Sequence, residues 1–324
     1  MKVLQAARPS TAAATRAALL SRTSACCQPA LAAPAAPSSR QCSSSAARRG
    51  IPAAAIAGSG DGPSLAGSGP AAAASMSGAH ASESEWYRHG MTSLSQGMTM
   101  ADTLRRLGGG LDVAPLEKSA FVRPQSILFE MDGKQRRWDM VESHPSVACL
   151  LYHRERQAVI LVRQFRPAVY VSAMREAEAA GQPKPPLSVG FTYELCAGIV
   201  DKPGLDLAQI TKEEILEECG YDVPLDRIHR ITSYLSAIGI SGSRQTIFAA
   251  EIDESMAASA GGGGLADHGE AIEVLALPVA SIDAFLADDA MGKSAGLLFS
   301  LMWLMDRLDA HGGQLFPAAA KATV

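Results

Sequence analysis

The alternation of apolar and polar residues predicts a folded body that begins near Arg123. Two runs, Ile127–Met131 and Gln135–Val141, flank an Asp-Gly pair. Because Asp-Gly supplies the positive φ angles of a tight turn, these runs predict a β-hairpin. Ser146–Tyr152 and Ala158–Phe165, which lie on either side of a charged turn, predict a second hairpin.

Further along, predicted strands are interleaved with a few helices. A Pro- and Ala-rich excursion is expected from Val171 to Leu187, and Leu207–Cys219 is predicted to be a helix that ends at Gly220. The other predicted elements are strands at Phe191–Cys196, Arg230–Ser236, Gln245–Ile252 and Ile272–Pro278, a flexible loop at Gly261–Gly264, and helices at Met98–Leu107, Ser281–Asp288 and Ser294–Ala310. Because no regular β-α repeat is present, we expect a mixed-sheet α/β or α+β domain.

Charge divides the chain into two unlike parts. Lys and Arg total 29 against 33 Asp and Glu, but residues 1–60 hold seven basic side chains and no acid. Residues 61–324 therefore hold 22 basic and 33 acidic groups, a net charge of −11. Since affinity for nucleic acid depends on Lys and Arg that neutralise phosphates, we expect no nucleic-acid partner.

Residues 1–75 have the composition of an organellar transit peptide, with 24 Ala, 12 Ser and scattered Arg. We predict a plastid address, with the mitochondrion as the alternative. If the segment is only a disordered low-complexity leader, the protein would be cytoplasmic. We divide the rest into an extension (76–122), a folded domain (123–312) and a tail (313–324). No apolar run is long enough to span a bilayer, so no membrane association is expected.

Three glutamates gather on one face of the predicted helix Leu207–Cys219. At about 100° per residue, Glu217 falls about 60° to one side of Glu214 and Glu218 about 40° to the other. Like charges this close repel unless a cation neutralises them or water screens them. Hard divalent cations prefer carboxylate oxygens, so the arc indicates a metal site for phosphate chemistry; the alternative is a solvated acidic face.

The sequence around these glutamates resembles the Nudix box. Glu213–Tyr221 reads EEILEECGY and matches the family pattern at Glu214, Ile215, Glu217, Glu218 and Gly220. Two departures stand out. Glu213 occupies the position of the family arginine, which orients the carboxylates in relatives, and the preceding loop is one residue longer, with Leu205 where the upstream glutamate belongs.

The resemblance extends from about Gln125 to Trp303 and is to the uridine diphosphate glucose pyrophosphatase branch of the Nudix hydrolases. The matching blocks are QFRPAVY (Gln164–Tyr170), ELCAGIVDKPGL (Glu194–Leu205), EECGY (Glu217–Tyr221) and GSRQT (Gly242–Thr246). The resemblance implies an α/β/α sandwich around a mixed β-sheet, and a homodimer whose N-terminal strands contribute to the partner's site.

It also implies Mg²⁺-dependent cleavage of a nucleoside diphosphate sugar, with UDP-glucose giving UMP and glucose 1-phosphate. The alternatives are an ADP-ribose or ADP-sugar diphosphatase, and a nucleotide-sugar sensor that has kept the fold without catalysis.

The same resemblance assigns the catalytic metal ligands. Glu214, Glu217 and Glu218 would bind Mg²⁺, or Mn²⁺, together with the backbone carbonyl of Ala197. Glu270, in a loop before a late strand, would be a further ligand or the catalytic base. An exposed loop acid with no role is the alternative for Glu270.

Three more residues are implied as substrate contacts. Arg166 and, on a weaker match, Arg244 would bind the diphosphate. Trp138, on the first hairpin, would reach across the dimer and stack on the nucleobase. An ordinary core or interface position is the alternative for Trp138.

Overall fold

The computed structural model describes residues 86–95, 98–108, 111–119, 122–259, 262–265 and 269–316. All of them belong to one compact unit, Ser75–Val324. The predicted leader 1–75 and residues 317–324 of the predicted tail lie outside the described residues. The targeting assignment and the domain bounds therefore remain predictions.

Within the described residues, eleven strands form one nine-stranded sheet and one separate two-stranded sheet. They are β1 (Thr92–Ser93), β2 (Arg123–Met131), β3 (Lys134–Glu142), β4 (Ser146–His153), β5 (Ala158–Phe165), β6 (Phe191–Glu194), β7 (Cys196–Ile199), β8 (His229–Leu235), β9 (Arg244–Ile252), β10 (Ile272–Pro278) and β11 (Gly292–Lys293). The main path of the large sheet is β1-β10-β5-β4-β9-β8. The sheet is mixed, because β4 and β9 run parallel while β4 and β5 run antiparallel.

The helices lie between the strands. They are α1 (Met100–Arg106), α2 (Pro167–Ala179), α3 (Leu207–Glu214), α4 (Ile282–Leu286) and α5 (Ala295–Ala310). A π-helical turn, Ile215–Cys219, continues α3. Among the described helices, none combines the length and the apolar character that crossing a membrane requires.

Strand β4 explains the layered architecture, because it is buried on both faces. Leu150 belongs to the apolar cluster that also holds Leu301 of α5. Its neighbour Leu151 belongs to the cluster on the opposite face, which holds Ile210 of α3. Successive side chains of a strand point to opposite faces, so helices cover both sides of the sheet. The predicted α/β/α sandwich is confirmed.

The predicted excursion from Val171 to Leu187 is wrong in its first half, where the chain forms α2. Pro167 lies in the first turn of α2, where a missing N–H removes no helical hydrogen bond. The alanines that follow are strong helix formers. Pro183, Pro185 and Pro186 come only after the helix has ended.

Part of the predicted extension packs into the domain. Strand β1 pairs with β10 at the edge of the large sheet, with Thr92 opposite Ala276. Just before it, the hydroxyl of Tyr87 donates to Oε1 of Glu273 at 2.7 Å. Arg163 pairs with Glu273 at 2.6 Å, and both side chains are almost fully buried. The segment around Tyr87 is thus held by a buried ion pair of the sheet.

The first hairpin forms as predicted but stands apart from the large sheet. Strands β2 and β3 pair only with each other in the described residues, and Ile127 lies opposite Trp138. The turn uses positive φ angles at Asp132 and Gly133, 54° and 69°. The hairpin is attached to the loop before β9, where Val141 N donates to the carbonyl of Ile240 at 2.8 Å.

Candidate active site

The helix that carries the glutamates has well-defined ends. Asp206 caps the start of α3: its side chain accepts a hydrogen bond from Gln209 N, while the side chain of Gln209 accepts one from Asp206 N, both at 2.8 Å. At the other end Gly220 adopts the left-handed conformation with φ 75°, as predicted. The last turn, Ile215–Cys219, is π-helical, a form often found at functional sites. The uniform α-helical spacing assumed from the sequence therefore does not hold there.

Glu218 is the most buried of the three box glutamates, with 6% of the residue exposed. Its Oε2 accepts a hydrogen bond from the backbone N–H of Ala197 on β7 at 2.9 Å. Burial raises the pKa of Glu218 to about 8, and the nearby charges of Glu214 and Glu270 add to the shift. The hydrogen bonds from Ala197 N and the Cys196 side chain oppose this shift but do not cancel it.

Glu214 lies against the backbone of β7. A methyl group on Gly198 would overlap the Glu214 carboxylate, so a larger residue at position 198 would force this carboxylate to move. Burial raises the pKa of Glu214 to about 7; Lys202 opposes the shift, while the charge of Glu217 adds to it.

Lys202, in the loop between β7 and α3, lies among the carboxylates. Its Nζ is 2.7 Å from Oε2 of Glu213. It is also 3.8 Å from Oε1 of Glu214 and 3.6 Å from Oε1 of Glu217. Burial by itself would lower the pKa of Lys202, but its hydrogen bond to Glu213 and the charges of the other two glutamates raise it overall. Lys202 was not among the residues predicted from the sequence, although it lies inside the block ELCAGIVDKPGL.

Arg166 is held at the mouth of the site by Glu194 of β6. Its Nε donates to Oε1 of Glu194 at 2.8 Å, and its Nη2 donates to Oε2 at 2.7 Å. Burial would raise the pKa of Glu194, but these hydrogen bonds outweigh it and hold that pKa below its ordinary value. Glu194 was also missed at the sequence level, because its partner lies 28 residues away.

The loop that carries Glu270 is tied to the glutamate helix. Gly263 N donates to the carbonyl of Glu218 at 2.8 Å, and Gly264 N donates to that of Glu217 at 3.1 Å. Glu270 in turn accepts a hydrogen bond from Leu265 N at 2.8 Å. The glycine loop, predicted to be simply flexible, thus occupies the carbonyls at the end of the helix and brings Glu270 to the site.

These elements surround an open cleft of about 570 Å³. The charged side chains that line it are six acids and two bases, namely Glu194, Asp201, Glu214, Glu217, Glu218, Glu270, Arg166 and Lys202. The cleft therefore has an excess of acids. Of the predicted site residues, it brings together the three box glutamates, Ala197, Glu270 and Arg166.

Trp138 and Arg244 are not among the described residues that line this cleft. Trp138 is 56% exposed on the hairpin, and its Nε1 donates to the carbonyl of Gly239 at 3.0 Å. Arg244 is exposed at the start of β9, where it pairs with Leu235. Since Gln245 faces the cleft, its neighbour Arg244 points to the other side of the strand.

The donors of the cleft suit a hard divalent cation, because they are carboxylates and two of them have pKa values raised by burial. In the described residues, however, no three His, Cys, Asp or Glu side chains are gathered closely enough to hold a metal ion. Glu214 and Glu217 lie near Lys202 instead, and Glu218 accepts from the amide of Ala197. The residue types fit a metal site, and their oxygens would have to converge on the ion.

Comparison with known proteins gives close relatives. No protein-family model matches the chain. The uridine diphosphate glucose pyrophosphatase NUDT14 of Bos taurus is 38% identical over 206 residues, which cover 60% of this chain and 92% of that protein. The Mus musculus protein of the same name is 36% identical over 214 residues, covering 62% of this chain and 96% of that protein.

More distant matches have related names. A GDP-mannose pyrophosphatase of Pectobacterium atrosepticum is 34% identical over 152 residues, covering 46% of this chain and 68% of that protein. A solved structure described as an ADP compounds hydrolase aligns with a TM-score of 0.45 and 18% identity, over 62% of this chain and 94% of that one.

Proposed function

The chain belongs to the Nudix hydrolases, in the branch of the uridine diphosphate glucose pyrophosphatases, and on that premise we propose that it hydrolyses UDP-glucose to UMP and glucose 1-phosphate with Mg²⁺. Its relatives are pyrophosphatases of nucleoside diphosphate sugars, so the chain is an enzyme of this class. The alternative of a non-catalytic sensor is thereby removed.

The observation that carries the metal proposal is the excess of acids in the cleft, where burial raises the pKa of Glu214 to about 7 and that of Glu218 to about 8. Glu214, Glu217 and Glu218 would hold the ion, and the carbonyl of Ala197 remains a further proposed ligand. When bound, Mg²⁺ neutralises charge on the diphosphate and lowers the pKa of a coordinated water.

The remaining steps are assigned to side chains at the rim of the cleft. Arg166 would bind the diphosphate: a guanidinium has five N–H donors, and Glu194 takes only two of them. Glu194 also fixes the direction of the guanidinium before substrate arrives. Glu270 would accept the proton of the attacking water, because it lines the cleft and a hydrogen bond from Leu265 N holds its carboxylate there.

The test is a substrate panel of UDP-glucose, GDP-mannose, ADP-glucose, ADP-ribose and NADH, each with Mg²⁺ and with a chelator. We expect the highest kcat/KM for UDP-glucose, loss of turnover with chelator and recovery when Mg²⁺ is restored. GDP-mannose is the second candidate because of the relatives with that name. A higher kcat/KM for an ADP compound would favour the ADP-sugar alternative.

We also propose a homodimer through the hairpin β2–β3. The hairpin carries large apolar side chains in the open: Leu128 is 74% exposed, and Met131 and Trp138 are each more than half exposed. An isolated two-stranded hairpin is marginal in water, and exposed apolar surface of this kind is typical of an interface. A second copy of the chain would cover it and place Trp138 at the partner's cleft.

The dimer can be tested through Trp138. If its ring stacks on the nucleobase, Trp138→Ala should raise KM about 5- to 150-fold, since stacking is worth roughly 1–3 kcal/mol. The change in kcat should be smaller, because the base does not take part in the reaction. Trp138→Phe, which keeps a ring, is the control. A monomer by light scattering, or an unchanged KM in Trp138→Ala, would refute this role.

For residues 1–75 we propose a plastid-targeting role, supported by their Ala- and Ser-rich, acid-poor composition. A fluorescent protein fused behind residues 1–80 should enter plastids. Accumulation in mitochondria would support the alternative address, and a cytosolic signal would remove the targeting role.

A further inference from the structure

The acidic residue at position 213 leaves the Nudix box without the cation that relatives place there. Glu213 lies in the last turn of α3 and Glu217 in the π-helical turn that follows, and a carboxylate oxygen of each lies within 4 Å of Lys202 Nζ. Two like charges are therefore close where an arginine and a glutamate would attract. Both side chains are partly exposed, so water screens some of this repulsion, and a nearby cation would offset the rest.

The structure offers two lysines near this point. Lys212 is adjacent to Glu213 in sequence, but its Nζ pairs with Asp222 at 2.8 Å. Lys202 comes from the loop before the helix, and its Nζ lies 2.7 Å from Glu213 Oε2. The same Nζ lies within 4 Å of carboxylate oxygens of Glu214 and Glu217. Lys202 therefore contacts all three acids that the missing arginine leaves uncompensated.

We propose that Lys202 is a positioning residue that replaces the cation of the box. Glu213 anchors its ammonium group, and the anchored charge holds the carboxylates of Glu214 and Glu217 toward the cleft. The proposal rests on the proposed metal-dependent hydrolysis at these carboxylates. This proposal explains the acid at position 213, because Glu213 holds the end of the flexible Lys202 side chain.

The loop supports this role. Pro203 follows Lys202 and disfavours a helical backbone there, which narrows the directions that the lysine can take. Gly204 turns the chain with φ +87°, and Asp206 then caps the helix that carries the glutamates. Two contacts therefore position Lys202. The short connection to the capped helix holds its backbone, and Glu213 holds its ammonium group.

The test compares Lys202→Met with Lys202→Arg, with the double variant Lys202→Met/Glu213→Arg, and with Lys212→Met as the matched control. Substitution of groups that orient metal ligands typically lowers activity about 10- to 100-fold, and we expect that loss in kcat/KM for Lys202→Met. Lys202→Arg should recover most of the activity. The double variant should recover it too, because an arginine at position 213 would restore a cation close to Glu217. Lys212→Met should stay close to wild type.

A second readout needs no substrate. Mg²⁺ should raise the melting temperature of Lys202→Met less than that of wild type, since carboxylates that are no longer held toward the cleft bind the ion more weakly. Lys202→Arg and Lys212→Met should respond to Mg²⁺ as wild type does. If Lys202→Met does not fold, Lys202→Gln takes its place with the same criteria.

The outcomes separate the two proposals. A wild-type protein that hydrolyses no member of the panel defeats the proposed function. An active wild type with Lys202→Met within about threefold of it, below the typical 10-fold loss for such groups, defeats the positioning role alone. So does a loss of activity that Glu213→Arg leaves unrelieved, because that result would assign Lys202 to the loop and not to the carboxylates.

Discussion

Two clusters in this molecule pair cations with carboxylates, and they are built differently. In the buried pair, one guanidinium meets one carboxylate: Arg163 donates to Glu273, whose oxygens also accept from the hydroxyl of Tyr87 and the amide of Met100. In the cleft, Lys202 faces Glu213, Glu214 and Glu217. The first cluster is balanced and sealed from water, whereas the second is open and short of positive charge.

The difference separates a structural role from a chemical one. A buried pair with all its hydrogen bonds made needs nothing further, and breaking it leaves an uncompensated charge. A cluster with excess acids is poised to take up a cation, and perturbed pKa values are common where chemistry occurs. Substitutions in the first cluster should therefore reduce stability and leave activity unchanged. Those in the second cluster should reduce activity and leave stability largely unchanged.

The largest effect is expected from Arg163→Met. It leaves Glu273 buried without its partner, which should lower the free energy of unfolding by about 3–5 kcal/mol. Urea titration measures the loss, and kcat per folded molecule should not change. Arg154→Met is the control, because Arg154 is exposed and pairs with Asp253 at 3.3 Å. Such a surface pair contributes about 0–1 kcal/mol. Equal losses in the two variants would contradict the comparison.

Glu218→Gln should show the opposite pattern. We expect kcat to fall by about 10²-fold or more, as when other charge-stabilising groups are removed. The metal-free variant should melt at or above the wild-type temperature at pH 8, because a neutral amide is buried more easily than a carboxylate. Glu176→Gln, an exposed change on α2, is the control. Turnover within a few-fold of wild type would remove Glu218 from the site.

A third prediction is a pH dependence of the metal-free protein, because burial disfavours the charged forms of two cleft carboxyl groups. The pKa values of Glu214 and Glu218 are raised from 4.5 to about 7 and about 8. Between pH 4.5 and about 8, the folded state therefore binds more protons than the unfolded state. Stability should be greatest below pH 4.5, as far as these groups are concerned, and should fall as the pH rises to about 8.

Melting temperatures measured with a chelator between pH 5 and 9 check this slope. The slope should be shallower in Glu218→Gln, which removes the group with the higher pKa, and Mg²⁺ should recover stability at the alkaline end. A wild-type melting temperature that rises from pH 6 to 8 would contradict the assignment.

Local sequence signals predicted the elements that carry the chemistry. The hairpin turn at Asp132 and Gly133 and the helix end at Gly220 depend on residues whose backbone preferences act within a few positions. The order of such elements predicted a mixed-sheet domain, whereas the α/β/α sandwich was implied by the family resemblance. The six predicted residues that do meet in one cleft lie between positions 166 and 270, and the family resemblance, not their spacing along the chain, implied them.

The features that were missed depend on contacts between distant segments or on competing local signals. Glu273 meets Arg163 across 110 residues, and no local pattern reports such a pair. Helix α2 was missed because the prolines that follow it disfavour a helix, and their signal competes with that of its alanines. Lys202 reads as an ordinary loop lysine until the fold brings it to Glu213. Long-range partners are set by topology, which single-residue preferences do not encode.

The balanced cluster also limits where the proposed N-terminal leader could be removed. Arg163 donates from Nη1 to the carbonyl of Trp86 at 2.5 Å, and Tyr87 follows directly with its hydrogen bond to Glu273. Cleavage after Trp86 would remove the backbone carbonyl that accepts a hydrogen bond from the buried Arg163. Cleavage after Tyr87 would also remove the hydroxyl that donates to the Glu273 carboxylate. Any processing that yields a durable enzyme therefore has to leave Trp86 and Tyr87 on the mature polypeptide.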